Sequence, residues 1–408
     1  MTSERDAHAL ATTDFDLDLS EDQLRTRRNV KWSQYPADVL PAFVAEMDFA
    51  VAPPIQAALE RVLRQQDYGY PKRDTERPEY TISESFAARM QRLYGWTIAA
   101  EEVQPLADLV QAKFAAITAF SDPGDGVIVQ VPAYSPFFDA VETPGRVLKA
   151  MRMVDDGTGY VPDLDALRRL APEASILTIC NPHNPTGRAF TKDELLAMAQ
   201  VAIEHDLVIV SDEIHSDLTY EPFKHIPIAS LSPEIAARTV TINSPTKSFN
   251  IPGLRAAVMH FGTMALKERF FARVPRKLLG QVGVFGIEAA NAAWREGTPW
   301  LLAVKAALAD RRARVVAALA GEPGLKLYAP EATYMAWLDC SGLRLNVPAQ
   351  QFFVEEAKVG FSGGSAFDPD AGSTFVRVNF ATSAEILDRI LDRTLTATRK
   401  LTTAGHES

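Results

Sequence analysis

Five segments of this sequence end or interrupt an apolar run with a residue able to do chemistry. In VIVSDEIHSDL (208–218), Asp212 closes a run of buried-strand type. In an open parallel sheet the carboxyl ends of the strands face the functional crevice. An acid there stays ionised when paired with a cation, and a pyridinium in that place would draw electrons away from a substrate Cα. Judged alone, Asp212 also reads as a cap on the next helix. In TINSPTKSFNIPGLR (241–255), a strand pattern delivers Ser244, Lys247 and Arg255. Lys247 is flanked by Ser and Phe rather than by charge, which places it to be desolvated. Desolvation lowers an amine's pKa and makes it a nucleophile toward an aldehyde and then a proton shuttle. An isolated lysine in such a loop also reads as surface. Ser244 and Arg255 could both reach an anionic phosphate, the guanidinium through paired hydrogen bonds. NPHNPTGRAF (181–190) follows the run ILTIC, and its two Asn-Pro pairs and Gly form a rigid turn. Asn184 in that turn can donate a side-chain N–H. Tyr134, in VPAYSPFF (131–138), can offer an aromatic face to a planar ring, with Phe137 and Phe138 as wall or core. Arg377 alternates with apolar residues in TFVRVNF (374–380), where an arginine needs an anion: a substrate carboxylate or an interdomain salt bridge.

A lysine for an imine, an acid for a ring nitrogen, an amide for a ring oxygen, a phosphate cup and a carboxylate-binding arginine are what pyridoxal 5′-phosphate (PLP) requires of its protein. The elements that must position them follow from periodicity. Between about residues 47 and 287 the runs VIVQV (127–131), ILTIC (176–180), LVIVSD (207–212) and TVTIN (239–243) alternate with amphipathic stretches. One of these, 192–205, opens with a Thr191/Glu194 capping box. Near-continuous apolar strands separated by helices predict an α/β domain with a parallel sheet buried on both faces. From about 288 to 400 the pattern changes to a long helix (287–320), strands near 333–339 and 374–380, and a final helix capped by Thr382 and Glu385. This predicts a smaller α+β domain completed by residues 21–46, with an N-terminal arm (1–20) and a tail (401–408).

At 408 residues two domains are the natural expectation. A net charge of −10 with scattered basic residues argues against nucleic acid as partner. No apolar run approaches a membrane span and no secretory signal is visible, which predicts a cytoplasmic protein. The two cysteines, Cys180 and Cys340, lie in apolar segments and read as buried thiols. No spacing suggests a metal site or a Ser-His-Asp hydrolase.

With Asn184, Asp212, Lys247 and Arg377 in this order, the chain resembles the fold type I PLP enzymes of the aminotransferase class I/II superfamily. Within it the sequence is most similar to the MalY/PatB-like cystathionine β-lyases, or C–S lyases. The segments that carry this are AEMDFAVAPPIQAAL (45–59), YGYP (68–71), NPHNPTG (181–187), SDEIHSDL (211–218), SFNIPGL (248–254) and ATYMAWLD (332–339). The resemblance implies that Lys247 holds the cofactor and shuttles protons, Asp212 pairs with the pyridine nitrogen, Asn184 contacts the 3′-oxygen and Tyr134 stacks on the ring. It implies a phosphate cup from the backbone of Leu109 and Val110, helped by Ser244 and Arg255, with Tyr70 reaching the cup of a second subunit in a homodimer. Arg377 would hold the substrate carboxylate. His215 stands where many aminotransferases place a tyrosine on the 3′-oxygen; a buried structural histidine is the other reading. The chain departs from the family in having PLADLV (105–110) in place of a Gly/Ser-rich turn, which puts Asp108 beside the expected phosphate.

The same residues serve two outcomes. One is β-elimination from a cysteine S-conjugate to thiol, pyruvate and ammonia, including a tailoring variant on a bulky S-conjugate shaped by KRDTERPEYTISES (72–85). The other is transamination; a decarboxylating or oxidative outcome and a non-catalytic regulator complete the alternatives. The subgroup resemblance favours the lyase.

Overall fold

The structure, a computed structural model, describes residues 15–71 and 81–404. Residues 1–14 of the expected arm, 72–80 of the KRDTERPEYTISES stretch and 405–408 of the expected tail lie outside the described residues. In chain order the strands are β1 (Leu40–Ala42), β2 (Val103–Leu106), β3 (Gly126–Val131), β4 (Val147–Arg152), β5 (Val154–Asp155), β6 (Tyr160–Val161), β7 (Ala174–Cys180), β8 (Val208–Asp212), β9 (Thr239–Asn243), β10 (Ala257–Phe261), β11 (Lys326–Leu327), β12 (Met335–Asp339), β13 (Val359–Gly363) and β14 (Phe375–Asn379). Among the described residues, a seven-stranded sheet runs β2-β10-β9-β8-β7-β3-β4. Strand β10 is antiparallel to both its neighbours, and every pair from β9 to β4 is parallel. The apolar runs are continuous because both faces are covered. Val127, Val129, Val208 and Val210 enter one core, whereas Ile128, Leu177 and Ile209 enter the other.

A second sheet runs β1-β13-β14-β12-β11, with β1 parallel to β13 and the remaining pairs antiparallel. It joins residues near the start of the chain to residues near its end. The expected capping box forms: the Glu194 amide donates to Thr191 Oγ1 (3.2 Å) and the Thr191 amide to Glu194 Oε2 (2.7 Å), opening the helix Lys192–Glu204.

Three expectations need correction. The single helix expected over 287–320 is two, Val284–Glu296 and Thr298–Leu319, broken at Gly297. Pro299 is accepted in the first turn of a helix but cannot donate to a turn before it. A Cβ at Gly297 would also sit 2.5 Å from Phe249 Cε1. The final helix, Ala384–Ala404, is capped one residue later than expected: Ser383 Oγ accepts the Ile386 amide (3.4 Å), while Thr382 Oγ1 is buried without a partner among the described residues. The strand expected from 333 starts at Met335, because Thr333 takes a left-handed conformation (φ 68°) and its hydroxyl accepts the Met335 amide.

Candidate active site

The parallel sheet delivers its chemistry to one edge. The chain leaves β3, β7, β8 and β9 at their carboxyl ends and immediately supplies Tyr134, Asn184, Asp212 with His215, and Ser244 with Lys247 to one cavity of about 190 Å³. Strand β2 runs the same way and feeds Asp108, Leu109 and Val110 into it, while β10, running against the rest, enters from Arg255. Arg377 reaches the cavity from β14 in the second sheet. Ten of the eleven residues picked out from the sequence therefore meet in one place. The eleventh, Tyr70, is 99% exposed and lies outside the cavity of its own chain.

Lys247 points its Nζ at the carbonyl of Ala45 (2.7 Å). Burial, reinforced by the nearby Arg377, lowers its pKa from 10.5 to about 8. Asp212 is buried; one carboxylate oxygen accepts the Ile214 amide (3.2 Å) and the other meets Lys113 Nζ at 2.8 Å. His215 packs edge-on against Tyr334 with its Nδ1 buried and unpartnered. Burial first, then the cations Lys247, Arg377 and Lys113, keep its pKa well below 6.5 and the ring neutral.

Arg377 is buried, and its partners are all neutral: Asn184 Oδ1 (2.9 Å), the Phe43 carbonyl (2.9 Å) and Ser362 Oγ (3.2 Å). Its Nε has no partner among the described residues. The salt bridge that was the other sequence reading of Arg377 is not among its contacts. A buried guanidinium without a counter-ion is costly unless a ligand supplies the anion. Because Asn184 spends its oxygen on Arg377, its amide nitrogen remains the group available as a donor.

The phosphate end carries an ion pair of its own. Asp108 caps the helix Leu109–Phe120 by accepting the Gln111 amide (2.9 Å), and its other oxygen pairs with Arg255 (2.9 Å). This resolves the conflict noted from the sequence: Asp108 is neutralised by the same arginine expected to assist the cup. The amides of Leu109 and Val110, at the positive end of this helix, are the ones a helix start leaves without internal acceptors. Ser244 donates its hydroxyl to the Ala256 carbonyl (2.6 Å) and stands beside the Thr246 hydroxyl (2.7 Å). A lowered-pKa lysine, a buried carboxylate and an unpartnered histidine nitrogen on one cavity are the donor set PLP needs, so the residues present fit it.

Two features have roles that the sequence reading did not assign. Lys113 is the single charged residue of LVQAKFAAITAF, one turn along the face that starts at Leu109; that position was its signal. The other is the segment 43–49, whose backbone carbonyls are taken up in succession. Phe43 accepts from Arg377 and Ser362, Val44 from Asn379, Ala45 from Lys247 and Tyr334, Glu46 from Asn379 and Lys31, and Met47 from Asn250. Asp48 anchors the segment through a fully buried ion pair with Lys31 (2.7 Å) and a bond from Trp32 Nε1 (2.7 Å). In SDEIHSDL the remaining acids also face inward: Glu213 meets His225 (3.0 Å) and Ser211, and Asp217 meets Arg89 (2.7 Å).

Residues 47–393 match the family described as aminotransferase class I and II. The chain is 34% identical over 385 residues to cystathionine beta-lyase PatB of Bacillus subtilis, covering 92% of this chain and 98% of that one. It is 30% identical over 348 residues to protein MalY of Escherichia coli, covering 84% and 87%. Among solved structures, OvoB superposes with a TM-score of 0.88 at 35% identity, covering 94% of this chain and 99% of that chain. Cystalysin from Treponema denticola, which contains a pyridoxal 5′-phosphate cofactor, gives 0.87 at 28% identity, covering 95% and 99%.

Proposed function

The chain belongs to the aminotransferase class I and II family, and we propose that within it the protein is a PLP-dependent C–S β-lyase acting on cysteine S-conjugates of the cystathionine type. The observation that carries the reading is that a desolvated lysine and a buried arginine without a counter-ion open on the same cavity. That pair suits an amino acid, whose α-carboxylate would complete Arg377 while its Cα–H lies toward Lys247. The relatives named as cystathionine β-lyases support the choice of reaction.

When bound, PLP supplies an aldehyde for the substrate amine and a ring that stabilises negative charge developing at Cα. Lys247 would hold the aldehyde carbon, Asp212 would face the ring nitrogen, Asn184 and His215 the ring oxygen, and Tyr134 one ring face. The Leu109 and Val110 amides would receive the phosphate, with Arg255 shared between it and Asp108, whereas Ser244 would reach it only by giving up its bond to the Ala256 carbonyl. In the reaction, Arg377 would hold the carboxylate and the free amine of Lys247 would take the Cα proton. The electron pair left behind forms the Cα–Cβ double bond, and the C–S bond breaks with its pair on sulfur. A lysine with a pKa near 8 serves both as base for that proton and as its later donor at neutral pH. We extend the reading to S-conjugates bulkier than cystathionine. A second hollow of about 280 Å³, bounded by Gly363, Gly364 and Ser365, includes Phe43 and Ser362, both hydrogen-bonded to Arg377.

The test mixes PLP-loaded protein with L-cystathionine and S-alkyl cysteines of increasing size, without keto acid, and assays pyruvate, ammonia and thiol. Catalytic release of all three establishes the lyase, and retention of rate with the larger conjugates supports the wider pocket. Absence of release, with a half-reaction restored by added keto acid, moves the assignment to amino transfer.

A further inference from the structure

Phe367 is a neighbour of Arg377 that the proposed reaction leaves unused. The guanidinium carbon lies 4.7 Å from the centre of the Phe367 ring, so the ring covers one face of the cation. The bonds to Asn184, Phe43 and Ser362 engage the two terminal nitrogens, and Nε keeps no partner among the described residues. Phe367 is itself buried and does not line the cavity. Its ring meets Trp337 edge-on at 5.5 Å, and Trp337 stands opposite Arg377 in the pairing of β12 with β14. A long arginine side chain has many rotamers to lose. A ring against its plane removes them before a ligand arrives, and an apolar face excludes water that would screen a carboxylate.

The ring is held from the other sheet. Phe367 lies in the connection between β13 and β14, and its carbonyl accepts the amide of Ala133 (2.8 Å), the residue before Tyr134. The adjoining Asp368 closes this connection on itself. Its carboxylate accepts the amides of Asp370 and Ala371 (3.1 Å each), and its carbonyl accepts that of Gly372 (2.8 Å). Arg152, the last residue of β4, donates to Asp368 and to Asp370 (2.6 Å). Through Phe367, the position of Arg377 in the second sheet is therefore referred to the sheet that delivers Lys247.

Resting on the assignment of Arg377 to the substrate α-carboxylate, we propose that Phe367 is a positioning residue for that carboxylate. Fastened to the large sheet through Ala133 and Arg152, its ring fixes the plane of the Arg377 guanidinium. The consequence is selectivity for a free α-carboxylate over its amide, since the anion gains most from an oriented and water-shielded cation.

The experiment uses the PLP-loaded protein with S-methyl-L-cysteine and its α-amide as paired substrates. Titration calorimetry with 3-(methylthio)propionate, which has the carboxylate but no amine, reads the same site whatever reaction the protein performs. Phe367→Leu keeps an apolar side chain and removes the ring. It should raise KM for S-methyl-L-cysteine and Kd for 3-(methylthio)propionate by about three- to thirtyfold, the range of a desolvated cation–ring contact. The kcat and the KM of the amide should stay within about twofold. Arg152→Met should raise the same two constants by about two- to fivefold, as loss of an exposed ion pair does, and Arg152→Lys should lie between it and the parent. Equal rises for acid and amide would reveal a general disturbance and overturn the inference, as would unchanged constants in Phe367→Leu. Should Phe367→Leu not fold, the acid-to-amide ratio in Arg152→Met decides in the same way. Arg377→Met separates the two levels: if it leaves the parent's preference for acid over amide intact, the carboxylate site is not at Arg377 and the reading beneath the inference has failed. Loss of that preference in Arg377→Met, with no change in Phe367→Leu, removes Phe367 alone.

Discussion

At the scale of single residues, the cavity gathers cations that lack local compensation, and this sets two expectations. Lys247 has a folded-state pKa near 8 where a free lysine has 10.5. Its neutral, aldehyde-reactive fraction at pH 7.5 is therefore about a quarter, against about one part in a thousand without the shift. Because the shift is downward, capture of PLP by the cofactor-free protein should speed up about tenfold per pH unit below 8 and level off above it. Stopped-flow absorbance across pH checks this. Lys247→Ala should abolish the visible band, and Arg377→Met, which removes a repelling cation, should move the midpoint upward. Arg377→Ala should also raise KM for an amino-acid substrate by about tenfold to a hundredfold, since a charge-assisted hydrogen bond contributes about 1.5–3 kcal/mol. Steady-state kinetics read it, and an unchanged KM would remove Arg377 from the carboxylate site. These two residues were legible in the sequence because each follows or interrupts a run too apolar to tolerate an idle charge. Lys113 was not, because a single lysine between Ala112 and Phe114 in a helix resembles an ordinary exposed position until the helix is seen to be buried.

At the scale of elements, the strand ends were legible and the connections were not. Strands β3, β7, β8 and β9 are buried on both faces, so their apolar runs stand out, and whatever follows them lies at the edge where a ligand can bind. The break at Gly297 and the cap at Ser383 depend on a neighbouring ring and a hydroxyl rather than on periodicity, so a pattern of apolar spacing passes over them. The segment 43–49 is the largest such case, for its residues 45–49 were singled out by resemblance but not its role as a row of acceptors. It is mostly irregular, and it works through carbonyl oxygens that every residue type possesses. Its one legible anchor is Asp48. The Lys31–Asp48 pair is fully buried, so removing one partner strands the other. Asp48→Ala should cost about 3–5 kcal/mol in urea unfolding, and replacing both residues with apolar side chains of similar volume should recover most of it. A loss within experimental error for Asp48→Ala would show that the segment is held by its carbonyl bonds instead.

At the scale of the whole molecule, the cavity has contributors from both sheets, and one sequence-derived residue stands apart from it. Tyr70 is 99% exposed in the isolated chain, as a residue meant for a second subunit would be. The expectation is a homodimer in sedimentation velocity, with Tyr70→Phe weakening PLP retention about tenfold, the equivalent of one lost hydrogen bond of about 1.4 kcal/mol. A protein that sediments as a monomer and still retains PLP would exclude the shared site. That the strands form more than one sheet was legible in outline from the change of pattern after the large sheet, because parallel strands and mixed antiparallel ones leave different periodicities. Among the described residues no helix is long and apolar enough to cross a membrane. The carbonyls of 43–47 connect these levels, since Arg377 and Asn379 reach them from one sheet and Lys247 and Asn250 from beyond the edge of the other. What this stretch supplies is spacing. Exchanging Val44 or Ala45 for residues of similar size leaves every acceptor where it was, whereas inserting or deleting one residue shifts the acceptors on its two sides relative to one another by about 3.3 Å and unseats several side chains at once. The stretch acts as a gauge, and in any redesign or natural divergence of this protein its length should prove less negotiable than its letters.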